Sequence, residues 1–251
     1  MVCAMWAGEW QVRRFEEIDS TNSYLLERAR QGDPEGLVAV ADHQTAGRGR
    51  LERRWESPPG ANVLASVLLR PDCNADDLHL CTGALGLSAL DACAEVAGVE
   101  AQLKWPNDLL VGTAKLAGIL AEAEFSAGPP AVVAGIGLNV AWPGPPGAGG
   151  TCLNDLSEGK SPLDRNLLLE HLLAALAARR PLLDEAAGRR QLADEVRARC
   201  ATLGQEVLVV LPAEEFSGRA VAIDDAGRLL VNTGVGQRAV TAGDVVHLRG
   251  P

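Results

Sequence analysis

The sequence predicts an α+β fold: a mixed, mainly antiparallel central sheet flanked by helices, followed by a small C-terminal β-barrel. Three observations lead there. Apolar runs at 103–105, 109–111, 115–125 and 131–140 follow one another with short turns, as sequential antiparallel strands do. The stretches 75–97 and 163–200 instead carry apolar residues at helical spacing. From residue 206 onward the pattern changes to short alternating strands separated by glycine turns, which suits a small barrel.

In chain order, 9–15 reads as a strand and 22–30 as a helix that Ser20, Thr21 or Asn22 caps and Gly32 stops. A strand at 37–41 leads into an arginine-rich loop, 42–59, too long for a simple connection and therefore a functional candidate. Residues 62–69 alternate as a strand, and 75–97 form a helix with Leu78, Cys81, Leu85, Leu90 and Val96 turned inward. After the four central strands, the Pro/Gly-rich segment 142–150 is a surface loop, and Pro181 separates helices at 163–180 and 182–200. A boundary near Thr202 gives two expected domains, 1–201 and 202–251, the second with strands at 207–211, 219–223, 229–232, 237–241 and 245–248.

The strand 131–140 has two unlike faces. Val132, Ala134, Ile136, Leu138 and Val140 share one, while Val133, Gly135, Gly137 and Asn139 share the other. The first packs on a core; the second is nearly bare. Interior glycines weaken a strand, and either a ligand approaching closely or a bulge accounts for them. The strand alone leaves both open.

Hydrophobic residues make up 47% and charged residues 22%, the balance of an ordinary globular chain rather than a disordered or fibrous one. A formal charge of −10 argues against a general nucleic-acid binder, which needs a basic surface. Of the 23 basic residues, lysine supplies Lys104, Lys115 and Lys160, and two of those fall in one short segment. The six cysteines show no CxxC pair or zinc spacing and read as reduced thiols. Residues 1–10 lack the pattern of a signal peptide, and no apolar run approaches the ~20 residues of a membrane span. A cytoplasmic protein is expected.

Three short motifs carry chemistry. Gly47-Arg48-Gly49-Arg50 combines glycines, which let backbone N–H groups approach an anion, with guanidiniums that neutralise phosphate. It does not match the Walker pattern, and alone it also reads as a solvated turn. Lys104-Trp105-Pro106-Asn107-Asp108 places a cation, an aromatic plate, an amide and a carboxylate at a strand end. Lys115-Leu116-Ala117-Gly118-Ile119-Leu120 opens an apolar strand with a lysine, which by itself also reads as an edge charge.

Together with Ser20-Thr21-Asn22, Trp55 and Gly135-Ile136-Gly137-Leu138-Asn139, these motifs resemble the biotin protein ligase family in content, order and spacing over residues 18 to 140. The end, Gly243-Asp244-Val245-Val246-His247-Leu248-Arg249, resembles that of the family's SH3-like C-terminal domain. The resemblance implies a class II synthetase-like catalytic fold and a two-step reaction. Biotin and ATP give biotinyl-adenylate, and the biotinyl group then passes to a lysine of a biotin carboxyl carrier domain, with Mg²⁺ on the phosphates. Carboxylate and α-phosphate are both anionic, so cations where they converge are the main catalytic device.

By the same resemblance, Lys115 lies between the biotin carboxylate and the α-phosphate. Arg48 and Arg50, with Gly47, belong to the loop over biotin and the adenylate, and Lys104 adds charge. Asn107 and Asp108 match positions near the phosphates and Mg²⁺, and Trp105 counts among the ligand-binding residues. Ser20, Thr21, Asn22 and Gln44 match the wall around the ureido ring, whose donors and acceptor hydroxyls and amides can satisfy. Trp55 matches the ring that stacks on adenine, Asn139 the amide reading its edge, and Arg249 an arginine reaching ATP. Gly118, Gly135 and Gly137 leave room for the ligand.

One departure stands out: two residues after the arginine motif the family has a glycine, and this chain has Glu52. Three other readings fit these residues less well. A lipoate or octanoyl ligase of related fold should show an Arg-Arg-x-x-Gly-Gly type loop followed by histidine, and here the next histidine is the distant His79. Nineteen residues before Ser20 are too few for the DNA-binding domain of a ligase/repressor, so the monofunctional type with no DNA partner is expected. A non-catalytic biotin binder would not need Lys115, the arginine loop and Asn107-Asp108 together. The sequence leaves a homodimer open.

Overall fold

The computed structural model describes residues 9–126, 130–159 and 162–248; Arg249 lies outside them. Seven strands form one sheet: β1 (Gln11–Ile18), β2 (Leu37–Gln44), β3 (Val63–Leu69), β4 (Gln102–Lys104), β5 (Asp108–Val111), β6 (Ala114–Glu124) and β7 (Ala131–Leu138). Their spatial order is β1-β2-β3-β7-β6-β5-β4. β1 and β2 run parallel and the remaining described pairs antiparallel, so the sheet is mixed and mainly antiparallel, as expected.

One sheet face carries the main core. The helices α2 (His79–Ala92) and α4 (Arg165–Arg179) pack there, with Leu85, Leu90, Leu168 and Leu172 against Ile119, Ala134, Ile136 and Leu138. α3 (Leu153–Leu156) is a single turn that the sequence pattern did not signal. α5 (Ala186–Ala198) begins later than expected because Pro181 starts a 3₁₀ turn, Arg180–Leu183, ahead of it. Around α2 the chain is helical from Ala75 to Ala97, with a 3₁₀ entry and a π-turn exit ended by Gly98 at φ 70°.

That stretch corrects one expectation. It runs for 23 residues, and its most apolar 18-residue window reaches a mean hydropathy of 1.3, long and apolar enough by length and composition to cross a bilayer. Yet 67% of its most apolar window is buried in this core, which is what an interior helix needs.

The opposite face is only partly covered. The helix α1 (Thr21–Arg30) lays Leu25, Leu26 and Ala29 on Leu37, Ala39, Leu68 and Val133. Beyond Val133, β7 turns Gly135 and Gly137 to this face, and Gly137 stands opposite Gly118 of β6. A short helix beside a side-chain-free stretch of sheet leaves a hollow.

The C-terminal strands β8 (Glu206–Val210), β9 (Glu215–Ile223), β10 (Leu229–Thr233), β11 (Gly236–Val240) and β12 (Asp244–His247) form an antiparallel sheet in the order β11-β10-β9-β8-β12. Among the described residues β11 and β12 are not paired, so the sheet is open where a closed barrel was expected. Strand count and spacing do not set closure. Its core of Val207, Val209, Leu229, Val231 and Val245 also takes in Trp105 and Cys200 from the larger unit.

Candidate active site

The polar wall of the hollow is the start of α1. Ser20 caps that helix, its Oγ accepting from Ser23 N at 3.4 Å, which fixes where the next two side chains emerge. Thr21 donates from its backbone N to Gln44 Oε1 at 2.8 Å, and its hydroxyl lies 2.7 Å from that of Ser66. Ser66 donates to Asn22 Oδ1 at 2.6 Å, and Asn22 Nδ2 donates to Leu120 O at 3.0 Å and to Glu122 Oε2 at 2.9 Å. Ser20, Thr21, Asn22 and Ser66 are buried, so this satisfied network is rigid and its donor and acceptor directions are set in advance. Ser66 escaped sequence reasoning because a lone serine in an apolar strand reads as a core residue.

The floor explains the glycines. A Cβ at Gly135 would stand 2.0 Å from Asn22 Oδ1, and one at Gly137 would stand 2.2 Å from the Trp55 ring. At Gly118 it would meet the same ring at 3.0 Å and the end of Lys115 at 3.3 Å. Close approach, and no bulge between β6 and β7, accounts for them. Trp55 therefore lies over the glycine floor, with its indole N–H buried and without a hydrogen-bond partner among the described residues.

The arginine loop folds back on itself. Gly49 N donates to Arg53 O at 2.7 Å and Trp55 N to Gly47 O at 2.9 Å. A Cβ at Gly47 would come within 2.4 Å of Trp55 O, so Gly47 is needed for this fold-back. At the turn Leu51 and Glu52 have φ of 53° and 58°, left-handed backbone that favours glycine. Glu52 thus stands at a position whose geometry asks for the residue the family has there.

The cations converge beside the floor. Lys115 Nζ is 2.6 Å from Asp108 Oδ1 and 5.7 Å from the centre of the Trp55 ring. Arg50 donates to Asn107 Oδ1 at 3.1 Å. Burial holds the Lys104 ammonium below the ordinary lysine range, Asp108 opposing and Lys115 adding to that shift. Arg53 pairs with Asp244 of β12, tying the loop to the C-terminal sheet. Arg48 points elsewhere: both its terminal nitrogens donate to Glu122, at 2.9 and 2.7 Å.

A cavity of about 630 Å³ joins wall, floor and corner, lined among others by Asn22, Gln44, Trp55, Lys115, Gly137 and Asn139. That volume suits a small-molecule site. A larger hollow of about 990 Å³ shares Lys104 to Asp108 and the loop, and extends to His79, Val196 and Gly227.

Three residues differ from expectation in what they touch. Trp105 is buried in the C-terminal core and donates from Nε1 to Gly227 O at 2.9 Å, so it joins the two units as well as lining the cavity. Asn139 Nδ2 donates to Thr151 O at 3.0 Å and Pro143 O at 3.2 Å, which pins the 142–150 loop and occupies the amide expected to read a base. Asn107 Nδ2 donates to Ile119 O at 2.7 Å and its oxygen accepts from Arg50, which leaves that oxygen one further lone pair. Asp108 is paired through Oδ1 with Lys115, and its carboxylate beside the Asn107 oxygen is a donor set that would suit Mg²⁺, which takes few protein ligands. No cluster of three metal-ligating side chains occurs among the described residues.

Comparison with known proteins agrees with this layout. Residues 14–139 match the biotin/lipoate A/B protein ligase family and 202–248 the biotin protein ligase C-terminal domain. A biotin–[acetyl-CoA-carboxylase] ligase of Mycobacterium tuberculosis is 43% identical over 97% of this chain and 91% of that protein. A bifunctional ligase/repressor of Bacillus subtilis is 32% identical over 91% of this chain and 71% of its own length. A biotin protein ligase from Aquifex aeolicus, solved in complex with biotin and ATP, superposes with a TM-score of 0.80 at 28% identity, covering 96% of this chain and 99% of that one. A wall of fixed hydrogen-bonding groups, a glycine floor and a cationic corner, in a chain matched to these proteins along nearly its whole length, place it in the biotin protein ligase family.

Proposed function

We propose a division of labour for the biotin ligase reaction in which the wall holds biotin, the corner activates it and the loop keeps the product. Ser20, Thr21, Asn22, Gln44 and Ser66 take the ureido ring, and the tail runs over Gly135 and Gly137 toward Lys115. There a carboxylate oxygen attacks the α-phosphorus of ATP, forming a P–O bond as pyrophosphate leaves. The amine of a carrier lysine then attacks the acyl carbon, an amide forms and AMP departs.

The observation that carries this reading is the position of Lys115, at the end of the glycine floor and against Asp108. An ammonium there meets a carboxylate arriving along the floor and a phosphate arriving from the loop side. Lys104 and Arg50 add charge where partial burial keeps it weakly screened. Asp108 would hold Mg²⁺, which supplies charge neutralisation on the phosphates. Trp55 covers the adenine side, and Arg249 is assigned to ATP by resemblance alone. Residues 1–201 would form the catalytic domain and 202–251 the C-terminal one. The partner is the biotin carboxyl carrier domain of a biotin-dependent carboxylase, the setting is the cytoplasm, and DNA plays no part.

Mixing the protein with biotin, ATP, Mg²⁺ and a carrier domain should raise the mass of one carrier lysine by one biotinyl group. No transfer under any such condition overturns the reading. Lipoate offered in place of biotin should give none.

A further inference from the structure

We propose that Glu122 is a positioning residue that couples the arginine loop to the polar wall, and that Arg48 acts through it rather than on phosphate; the link to biotin rests on the function proposed above. Glu122 belongs to none of the motifs. On β6 it follows Gly118 and Leu120 along the face that carries the hollow. One carboxylate receives three N–H groups: both terminal nitrogens of Arg48 at 2.9 and 2.7 Å, and Asn22 Nδ2 at 2.9 Å.

Each contact has its own consequence. The Asn22 amide has two ends, and Glu122 with Leu120 O settles which faces where: the NH₂ toward Glu122 and the oxygen toward the Ser66 hydroxyl. That orientation propagates through Ser66, whose hydroxyl hydrogen goes to Asn22, to the Thr21 hydroxyl, which then donates to Ser66. The Arg48 contact is a two-pronged ion pair, the geometry that holds a guanidinium most directionally. A loop anchored here closes over the floor from the wall side, while Arg53 and Asp244 hold it from the C-terminal sheet. A line of hydrogen bonds therefore runs from Arg48 through Glu122, Asn22 and Ser66 to the Thr21 hydroxyl, and the Thr21 backbone N–H carries the contact on to Gln44. Whatever fills the wall also sets the acceptor that holds the loop.

The test uses the full chain and two readouts. Trypsin cleaves after arginines in an unlatched loop, so the ligand-free protein reports the latch through cleavage within residues 48–54. E122Q keeps the size and an oxygen for Asn22 but loses the ion pair. It should be cleaved roughly two- to fivefold faster than the unmodified protein, a modest factor because the pair is half-exposed. The melting temperature should stay the same, and E122Q/R48Q should be cut no faster than either single variant. Biotin affinity by calorimetry should fall by a similar factor in E122Q, and KM for biotin should rise more than kcat falls. Equal cleavage rates, or additive effects in the double variant, overturn the latch. Faster cleavage with unchanged biotin affinity overturns the coupling. If the unmodified protein binds no biotin at all, the biotin-site reading and the coupling built on it fall, while the cleavage comparison still decides the latch. A variant that melts early is replaced by E122D, which keeps the charge and should recover protection in part; no recovery counts against the pair.

Discussion

The polar wall and the cationic corner share one sheet face and are built in opposite ways. The wall hangs on regular elements: Thr21 and Asn22 on the first turn of α1, Ser66 on β3, Gln44 at the end of β2. Its groups are neutral and already bonded to one another, and all but Gln44 are buried. The corner mixes strand ends with a loop, is half-exposed, and offsets charge with charge: Lys115 against Asp108, Arg53 against Asp244. Recognition of a fixed polar ring calls for donors and acceptors that do not move. Bringing two anions together calls for cations, and these must accept, hold and release charged groups within one turnover. Rigidity serves the first task and exchangeable pairing the second.

The widest separation of the two regions is Lys115→Ala. It removes the cation at the end of the floor and leaves the wall untouched, so adenylate formation should fall by ~10²–10³. Biotin affinity should fall much less. Pyrophosphate release measured beside biotin calorimetry checks both, and adenylation within about twofold of the unmodified protein would misassign Lys115.

Gly135→Ala and Gly137→Ala sharpen the comparison, because the same methyl is added two residues apart on one strand. At Gly135 it drives into Asn22, which helix α1 holds; at Gly137 it drives into Trp55, which the loop holds. The first neighbour cannot retreat and the second can. Gly135→Ala should cost about 1–3 kcal/mol, the usual range for overpacking, and lower the melting temperature by several degrees. Gly137→Ala should leave melting nearly unchanged and instead unseat Trp55, raising its fluorescence accessibility to iodide and weakening ligand binding. Equal melting losses in the two would mean that the loop is as rigid as the helix.

Those two glycines also mark how far the sequence could be read. The alternation along β7 disclosed a bare face, and the structure covers that face with Asn22 and Trp55. What alternation could not disclose is which distant side chain arrives there. Ser66 and Glu122 take their roles from neighbouring strands and from α1, and neither sits in a pattern that separates it from an ordinary strand residue. Trp105 carries a second role that its motif could not disclose: it lines the cavity, and the docked C-terminal sheet also takes it into its core. Most element positions followed from periodicity, while the strand order, in which β3 meets β7 and β1 runs parallel to β2, did not. Closure of the small sheet did not, because it depends on whether two edge strands meet.

A pH profile separates the regions more gently, since the wall contains no titrating group and the corner does. Lys104 has its folded pKa lowered, chiefly by burial, so on raising the pH it loses its charge earlier than an ordinary lysine. Its charged form is disfavoured by folding, so that small penalty on stability is relieved, not increased, as pH rises through the folded value. The ATP term kcat/KM should therefore decline on the alkaline side below the ordinary lysine range, while biotin affinity stays level. Lys104→Arg should move that decline upward; a profile that does not shift means that another group sets it.

The smallest expected effect is at Glu52, where the loop carries left-handed backbone in a residue that is not glycine. A side chain in that conformation costs about 1 kcal/mol, and glycine bears almost none of it. Glu52→Gly should then favour the folded-back loop, although the added freedom of glycine in the open loop takes back part of the gain. It also deletes a carboxylate from a loop meant to meet anions, which acts in the same direction. Tryptic cleavage after Arg53 and Arg54 in the ligand-free protein should slow by roughly two- to threefold. The same change should leave the melting temperature where it was, because the sheet does not sense the turn, and should tighten biotin binding by no more than that factor through the Glu122 link. Cleavage that speeds up instead would mean that Glu52 holds the turn through its side chain, and that the corner tolerates this departure because the loop depends on it.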